Sequence, residues 1–169
     1  MAGRITRLLQ HRSFDEADVR RALPDAALKR LEERVHTSEK SHSGEIRLCI
    51  EAALPFSYIW KELSAHDRAL MMFGKLRIWD TEHNNGVLIY LLFAEHKVEI
   101  VADRGLNAKV SATQWQAIVE TMRPALRAGQ FEQGLTMAID AVEKLLNEHF
   151  ALADGQANPN ELSNKPWVG

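Results

Sequence analysis

The chain has 169 residues, of which 46% are apolar and 26% charged, and its formal net charge is −2. These values predict one soluble globular domain with its own core, and they give no reason to expect nonspecific binding to nucleic acid. The single cysteine, Cys49, excludes an intramolecular disulfide, and no apolar run reaches the roughly 18 residues that a membrane-spanning helix needs.

The sequence predicts a basic N-terminal arm over residues 1–13. Acidic residues, rather than an apolar stretch, follow its arginines, so the arm differs from an export signal. We therefore expect a cytoplasmic protein. The alternative for this segment is a short amphipathic arm that rests on a membrane through Ile5, Leu8 and Leu9, which would make the protein peripheral to the membrane.

Two helices are predicted before the first strand. The first begins near Ser13, because the spacing from Ser13 to Glu16 fits a capping box, and it ends before Pro24. The second shows one apolar stripe at helical spacing, formed by Leu28, Leu31 and Val35.

Three strands are predicted. Residues 45–52 alternate in polarity, as a strand with two unlike faces does. Residues 87–93 contain no charged residue, which indicates a strand covered on both faces at the centre of the sheet. The helix between these strands, capped near Ser64, permits a parallel right-handed connection. Residues 97–103 follow too soon for a crossover, so we expect an antiparallel hairpin.

Two more helices follow, one opened by a capping box at Ser111 and Gln114 and closed by Gly129, the other ending near Phe150. Residues 151–169 are rich in Ala, Asp, Gly, Asn and Pro, which predicts a flexible C-terminal tail. We take residues 14–150 as the single domain. Its order of elements predicts an α/β fold, a three-layer α/β/α sandwich around a small mixed sheet with a parallel βαβ unit and an antiparallel hairpin.

A polar loop immediately precedes the apolar central strand. Its residues Asp80, Glu82 and Asn84 alternate as in a calcium loop, but Gly86 comes one position late for an EF-hand and no glutamate stands where the bidentate ligand belongs. A looser site for a divalent cation, calcium or magnesium, joined by Asp103 from the far end of the hairpin, is one interpretation. The other is that these residues only shape the turn.

No catalytic residue can be assigned from the sequence. His83 lies within the polar loop and is the one histidine that we would test as an acid–base group. Asn85, Gly86 and Arg104 complete the loop surface as candidate binding residues. No histidines stand at zinc-ligand spacing, and no phosphate-binding glycine loop or nucleophile motif is present.

The middle of the chain resembles a TPM domain. The resemblance is carried by the run NNGVLI at residues 84–89, the hairpin at residues 94–100 and the run DRGL at residues 103–106. Downstream, the run MRP at residues 122–124 and the pattern G-x-F-x-x-G-L at residues 129–135 resemble the family as well. The similarity spans residues 14–146 and implies an α/β/α sandwich.

The resemblance also implies two functions. Some relatives are credited with acid phosphatase activity and divalent-cation binding, and others are accessory proteins in the maintenance of membrane complexes. Bacterial relatives often accompany LemA-type membrane proteins, which makes such a protein the implied partner. By position, Asp80, Asn84 and Asn85 match the family's polar loop.

Two acidic positions of the family differ in this chain. The stretch after Leu106 lacks the acidic residue common in relatives, and no clear counterpart exists for the aspartate before the first long helix. We therefore favour a non-catalytic binding or accessory module that assists a membrane-associated protein. The alternative is a weak, divalent-metal-assisted acid phosphatase.

Overall fold

The computed structural model describes residues 2–169, which contain eight α-helices and a four-stranded sheet. The strands are β1 (Glu45–Glu51), β2 (Gly86–Leu92), β3 (Lys97–Ala102) and β4 (Trp167–Val168). The helices are α1 (Ala2–Arg12), α2 (Glu16–Ala22), α3 (Asp25–Ser38), α4 (Phe56–Trp60), α5 (Ala65–Lys75), α6 (Arg104–Asn107), α7 (Ala112–Arg127) and α8 (Phe131–Phe150). A short 3₁₀ turn, Phe93–Glu95, joins β2 to β3.

The sheet has the order β3-β2-β1-β4, which places β2 in its interior. β2 runs parallel to β1, with Val87 opposite Ile46, and antiparallel to β3, with Leu88 opposite Val101. All seven residues of β2 are buried, as its uninterrupted apolar run predicts. The predicted mixed α/β fold, with its parallel and antiparallel pairings, is confirmed.

Helices cover both faces of the sheet. Val87, Ile89 and Leu91 of β2 belong to a core cluster with side chains of α2, α3, α7 and α8. The alternate residues Leu88 and Tyr90 belong to a second cluster with α4 and α5. Because successive side chains of a strand point to opposite faces, these two clusters form the two interfaces of a three-layer sandwich.

Two of the helix caps predicted from the sequence are present in the structure, and one is not. Ser64 and Ser111 form the predicted capping boxes of α5 and α7. The box predicted from Ser13 is wrong, because α2 is capped by Asp15 and Asp18, which satisfy each other's backbone N–H groups. Ser13 Oγ instead donates a hydrogen bond to a backbone carbonyl of α1, 2.8 Å away.

The predicted basic arm forms the helix α1. Leu8 packs into the second core cluster, and His11 is buried, with 3% of its surface exposed. An isolated helix of this length is only marginally stable in water, so the packing of its inward-facing side chains against the core stabilises α1. Within residues 2–169, every helix is too short or too polar to cross a membrane.

The C-terminal segment differs from the flexible tail that its composition predicts. Trp167–Val168 pair with β1 as a parallel edge strand, β4. The guanidinium of Arg47 donates to the carbonyl of Lys165 at 2.7 Å, and Asn158 Nδ2 donates to two carbonyls that precede β1 at 2.8 and 3.0 Å. Hydrogen bonds hold this segment together with the packing of Leu162, Trp167 and Val168 against the two core clusters. These few apolar side chains stand among polar residues, which is why the composition does not reveal the contact.

Candidate functional site

The polar loop meets the end of β3 at the start of β2. The backbone N–H of Asp103 donates to the carbonyl of Gly86, and that of Gly105 donates to the carbonyl of Asn84, both at 2.8 Å. A Cβ atom at Gly105 would lie 2.5 Å from the Asn84 oxygen, and one at Gly86 would lie 2.1 Å from the oxygen of Ile78. Only glycine permits these approaches. The structure thus brings Asp103 beside the loop, where the antiparallel hairpin predicts it.

The loop's two acidic residues contact different partners, Asp80 through its carboxylate and Glu82 through its backbone. The Asp80 carboxylate accepts a hydrogen bond from the guanidinium of Arg77 at 2.6 Å. The backbone N–H of Glu82 donates to the carboxylate of Glu161, in the C-terminal segment, at 3.1 Å. The loop is therefore attached to a segment whose contribution the sequence did not predict.

Asn84, Asp103 and Arg104 form one hydrogen-bonded unit. Asn84 Oδ1 accepts from Arg104 Nε at 2.9 Å. Asp103 Oδ1 accepts from the backbone N–H of Arg104 at 2.7 Å and so caps α6. Asn84 has φ +51°, a left-handed conformation that asparagine tolerates better than most residues. These contacts fix the turn, which is the second of the two sequence interpretations.

The predicted metal ligands do not form an acidic cluster. Within residues 2–169, no three His, Cys, Asp or Glu side chains lie close enough to hold a metal ion, so Asp80, Glu82 and Asp103 do not converge. Two oxygen atoms beside the loop are nonetheless buried without a hydrogen-bond partner, Asn85 Oδ1 and Asp103 Oδ2. Carboxylate and amide oxygens of this kind are the ligand atoms that a hard cation prefers.

His83 is exposed on the loop, and no hydrogen bond joins its ring to another side chain in the part of the chain that the structure describes. Its backbone carbonyl lies against Gly105, 2.6 Å from where a Cβ atom would stand. Asn85 is fully buried, and its Nδ2 donates to Ser43 Oγ at 3.2 Å. The loop therefore combines one accessible imidazole with a buried amide.

A second candidate site is an apolar surface on α1 and α4, which pack against each other. Ile5 and Leu9 of α1 are each 61% exposed, and Phe56 and Trp60 of α4 are 60% and 63% exposed. The two aromatic rings stack, with their centroids 5.8 Å apart. We call these four side chains the α1–α4 surface.

Buried hydrogen bonds fix the orientation of α1. His11 Nδ1 accepts from the backbone N–H of Leu54 at 3.0 Å, so its Nε2 carries the proton and donates to Glu95, also 3.0 Å away. Arg7 Nε donates to the same carboxylate at 2.8 Å. The hydrogen bond from His11 holds the pKa of Glu95 below its usual value, although burial opposes this shift. Leu8 and His11 contact the interior, whereas Ile5 and Leu9 are exposed to solvent.

Two basic residues, Arg12 and Lys61, are close in sequence to the residues of the α1–α4 surface. α1 carries three arginines and no acidic residue. Arg12 follows Leu9 by three positions and Ile5 by seven, which places it on the same helix face, and Lys61 directly follows Trp60. Within residues 2–169, neither Arg12 nor Lys61 has an ion pair, whereas Arg4 pairs with Glu62 at 2.5 Å.

Comparison with known proteins decides the family. The family model of the TPM domain matches residues 16–145, which is most of the chain. The chain belongs to the TPM domain family. No curated protein matches it.

Two solved structures are similar to this TPM domain. The NMR structure of BA42 from the psychrophilic bacterium Bizionia argentinensis is 28% identical, with a TM-score of 0.75, over 87% of this chain and 95% of BA42. The solution structure of an N-terminal domain from a P. gingivalis protein is 20% identical, with a TM-score of 0.60, over 78% of this chain and 82% of that one. The second likeness supports the fold alone.

Sequence reasoning identified only part of the α1–α4 surface. The amphipathic interpretation named Ile5, Leu8 and Leu9, but Leu8 faces the core of this TPM domain. Nothing in that interpretation named Phe56 and Trp60, which join α1 only in the folded chain. The available signal was their spacing of four residues after Pro55, which places both rings on one face of a short helix.

Proposed function

We propose that this TPM domain is a non-catalytic binding module that docks on a membrane through its α1–α4 surface and so assists a membrane-associated protein. The observation that carries the proposal is the clustering of exposed apolar side chains. Residues 2–169 contain six large apolar side chains that are strongly exposed, and four of them form this surface. Apolar groups gathered into one patch mark interaction sites more often than scattered ones do.

The composition of the α1–α4 surface favours a lipid interface. Tryptophan and phenylalanine are suited to the boundary between headgroups and acyl chains. A basic residue close to an anionic membrane adds about 1 kcal/mol of attraction, and Arg12 and Lys61 lie on or beside the apolar stripe. Stable attachment usually needs two such signals together, an apolar insertion and a basic patch, and both are present here.

The family resemblance suggests a binding partner for the docked domain. A LemA-type membrane protein is the implied partner, and a domain held at the bilayer would encounter such a partner at a high local concentration. In this arrangement the polar loop, with His83 and Arg104 accessible at its surface, faces away from the membrane. The loop would then be a further region through which the domain contacts its partner.

Sedimentation with lipid vesicles tests membrane docking. We expect the domain to bind phosphatidylcholine vesicles that contain one quarter phosphatidylglycerol, and to bind pure phosphatidylcholine at least about tenfold more weakly. The double variant Phe56→Ser/Trp60→Ser should lose at least about tenfold in affinity for the anionic vesicles, because it removes both aromatic anchors. Both side chains are exposed, so the fold should persist.

Trp79→Ser is the matched control, since Trp79 is 50% exposed but lies outside the α1–α4 surface. It should bind vesicles as the unmodified domain does. Equal binding by Trp79→Ser and by the double variant, or no binding of the unmodified domain to anionic vesicles, would contradict the proposal.

The buried oxygens beside the polar loop favour a second candidate, a divalent-metal-assisted phosphatase. Asn85 Oδ1 and Asp103 Oδ2 would hold the cation, with water completing its coordination. A bound cation would lower the pKa of a coordinated water and so supply a nucleophile for a phosphomonoester.

Hydrolysis of p-nitrophenyl phosphate with calcium or magnesium decides between the two candidates. The informative variant is Asp103→Asn, which keeps the cap of α6, because asparagine caps helices as well as aspartate does, but removes the charge. A binding module should show no hydrolysis above the buffer rate. Metal-dependent hydrolysis that falls at least about tenfold in Asp103→Asn would replace the first candidate with the second.

A further inference from the structure

We propose that the free edge of β3 binds an extended peptide segment of a partner protein as an additional strand. This inference rests on the proposed binding function and names the chemistry of a partner. β3 is an outer strand of the sheet, and an outer strand presents unpaired backbone groups that an extended chain can satisfy.

The register of the β2–β3 hairpin shows which groups are free. The backbone N–H of Asp103 donates to the carbonyl of Gly86. In an antiparallel pair every second residue is hydrogen-bonded to the neighbouring strand, so in β3 the residues bonded to β2 are Val101, Glu99 and Lys97. The N–H and C=O groups of the intervening Ile100 and Ala102 therefore point outward. Within residues 2–169, no hydrogen bond reaches these outward groups.

A groove runs beside this edge. It has a volume of about 1030 Å³ and is bounded by α5, by residues 99–102 of β3, by residues 107–111 and by α7. Trp115 of α7 lines it, and the indole N–H of Trp115 is buried without a hydrogen-bond partner. A buried donor without a partner is costly, and it lies in a side chain that forms part of the groove wall.

The chemistry of the groove favours an apolar segment. Leu70 of α5, 49% exposed, lines one side of the groove and Trp115 the other. The acidic groups on the rim are already paired, Glu99 with His66 at 3.2 Å and Glu120 with Arg123 at 2.6 Å. Because alternate side chains of an added strand point to opposite faces, the segment would direct apolar residues toward both walls. The opposite edge of the sheet already carries an added strand, β4.

Selection from a decapeptide display library against the whole domain supplies the probe, and the best binder is synthesised for NMR titration. We expect the amide signals of Ile100 and Ala102 to shift. N-methylation of one alternate set of the peptide's amides should weaken binding at least about tenfold, and methylation of the other set should leave it unchanged. Both methylated sets binding alike, or no selected peptide shifting these two amides, would overturn the proposal.

Variants of the domain give a second test. Ala102→Pro removes the outward N–H and should weaken peptide binding at least about tenfold, whereas Ala102→Gly keeps that N–H and should bind within about twofold of the unmodified domain. The methylated peptides remain decisive if Ala102→Pro does not fold. A dimer that Ala102→Pro converts to monomer would assign the edge to a second copy of the chain and would also overturn the proposal.

Failure of this inference and failure of membrane docking are distinguishable. Phe56→Ser/Trp60→Ser should bind the peptide as the unmodified domain does, because neither aromatic residue lines the groove. Conversely, folded Ala102→Pro should bind anionic vesicles as the unmodified domain does.

Discussion

Replacing Arg68 with alanine is expected to lower the free energy of unfolding by about 3–5 kcal/mol. Arg68 Nε donates to Glu51 Oε2 at 2.7 Å, and the side chains of Arg68 and Glu51 are only 12% and 5% exposed. Tyr90, at the centre of β2, donates its hydroxyl to the same carboxylate at 2.7 Å. The alanine variant would leave the buried carboxylate with this one neutral partner.

Urea unfolding of Arg68→Ala measures this loss. The control is Arg30→Ala, which removes an exposed ion pair with Glu132 and should change the free energy of unfolding far less than Arg68→Ala does. The double variant Glu51→Met/Arg68→Met should recover most of the stability, because it removes the buried charge together with its partner. A loss below about 1 kcal/mol in Arg68→Ala would show that Glu51 is not held in the way the structure indicates.

The variant Glu39→Gln is expected to raise the free energy of unfolding by about 2–4 kcal/mol at pH 8, and to leave it nearly unchanged below about pH 4.5. Glu39 is 3% exposed, and its Oε2 atom has no hydrogen-bond partner. Burial raises the pKa of this carboxyl from 4.5 to about 8, against a hydrogen bond from the backbone N–H of Ile46, and the neighbouring Glu45 raises it further.

The direction of the pH dependence follows from whether the folded or the unfolded state releases the proton of Glu39 first. With a raised pKa in the folded state, the unfolded chain ionises first as pH rises. Stability is therefore complete below about pH 4.5 and is lost progressively up to about pH 8. Glutamine keeps an oxygen that accepts the hydrogen bond from the backbone N–H of Ile46, and it cannot ionise. The variant therefore does not lose this stability as pH rises. Burial also raises the pKa of Glu45, so the variant keeps part of the pH dependence.

Urea unfolding at both ends of this pH window tests the prediction. Glu33→Gln is the matched control, because Glu33 is exposed on the same helix, α3, and it should change stability by about 0.5 kcal/mol or less at either pH. A difference between Glu39→Gln and the unmodified domain that is the same at both pH values would mean that Glu39 does not titrate differently in the folded and unfolded states.

The central sheet could be predicted from the sequence because local patterns determine it. The uninterrupted apolar run of β2 requires cover on both faces, and the short connection to β3 permits only a hairpin. The nearness of Asp103 to the polar loop followed from that pairing. These inferences needed no knowledge of side chains distant in the sequence.

Other features depend on contacts between distant segments, which spacing does not reveal. The alternation of β1 predicted two unlike faces, but Glu45 and Glu51 are buried. Glu45 Oε2 accepts from the backbone N–H of Leu162. Arg68 neutralises Glu51, and Tyr90 donates a hydrogen bond to it. β4 and the aromatic half of the α1–α4 surface escaped prediction for the same reason. β4 forms only when the C-terminal segment pairs with β1, and Phe56 and Trp60 join α1 only in the folded chain.

Membrane docking through the α1–α4 surface is the claim on which the proposed function depends, and paramagnetic broadening of amide NMR signals tests it most directly. The isotope-labelled domain would be mixed with anionic lipid nanodiscs that carry a spin label at the acyl-chain boundary. We predict strong broadening in α1 and α4, above all around Leu9 and Trp60, and none in β3 or the polar loop. Broadening centred on residues 80–86, or broadening nowhere, would contradict the account.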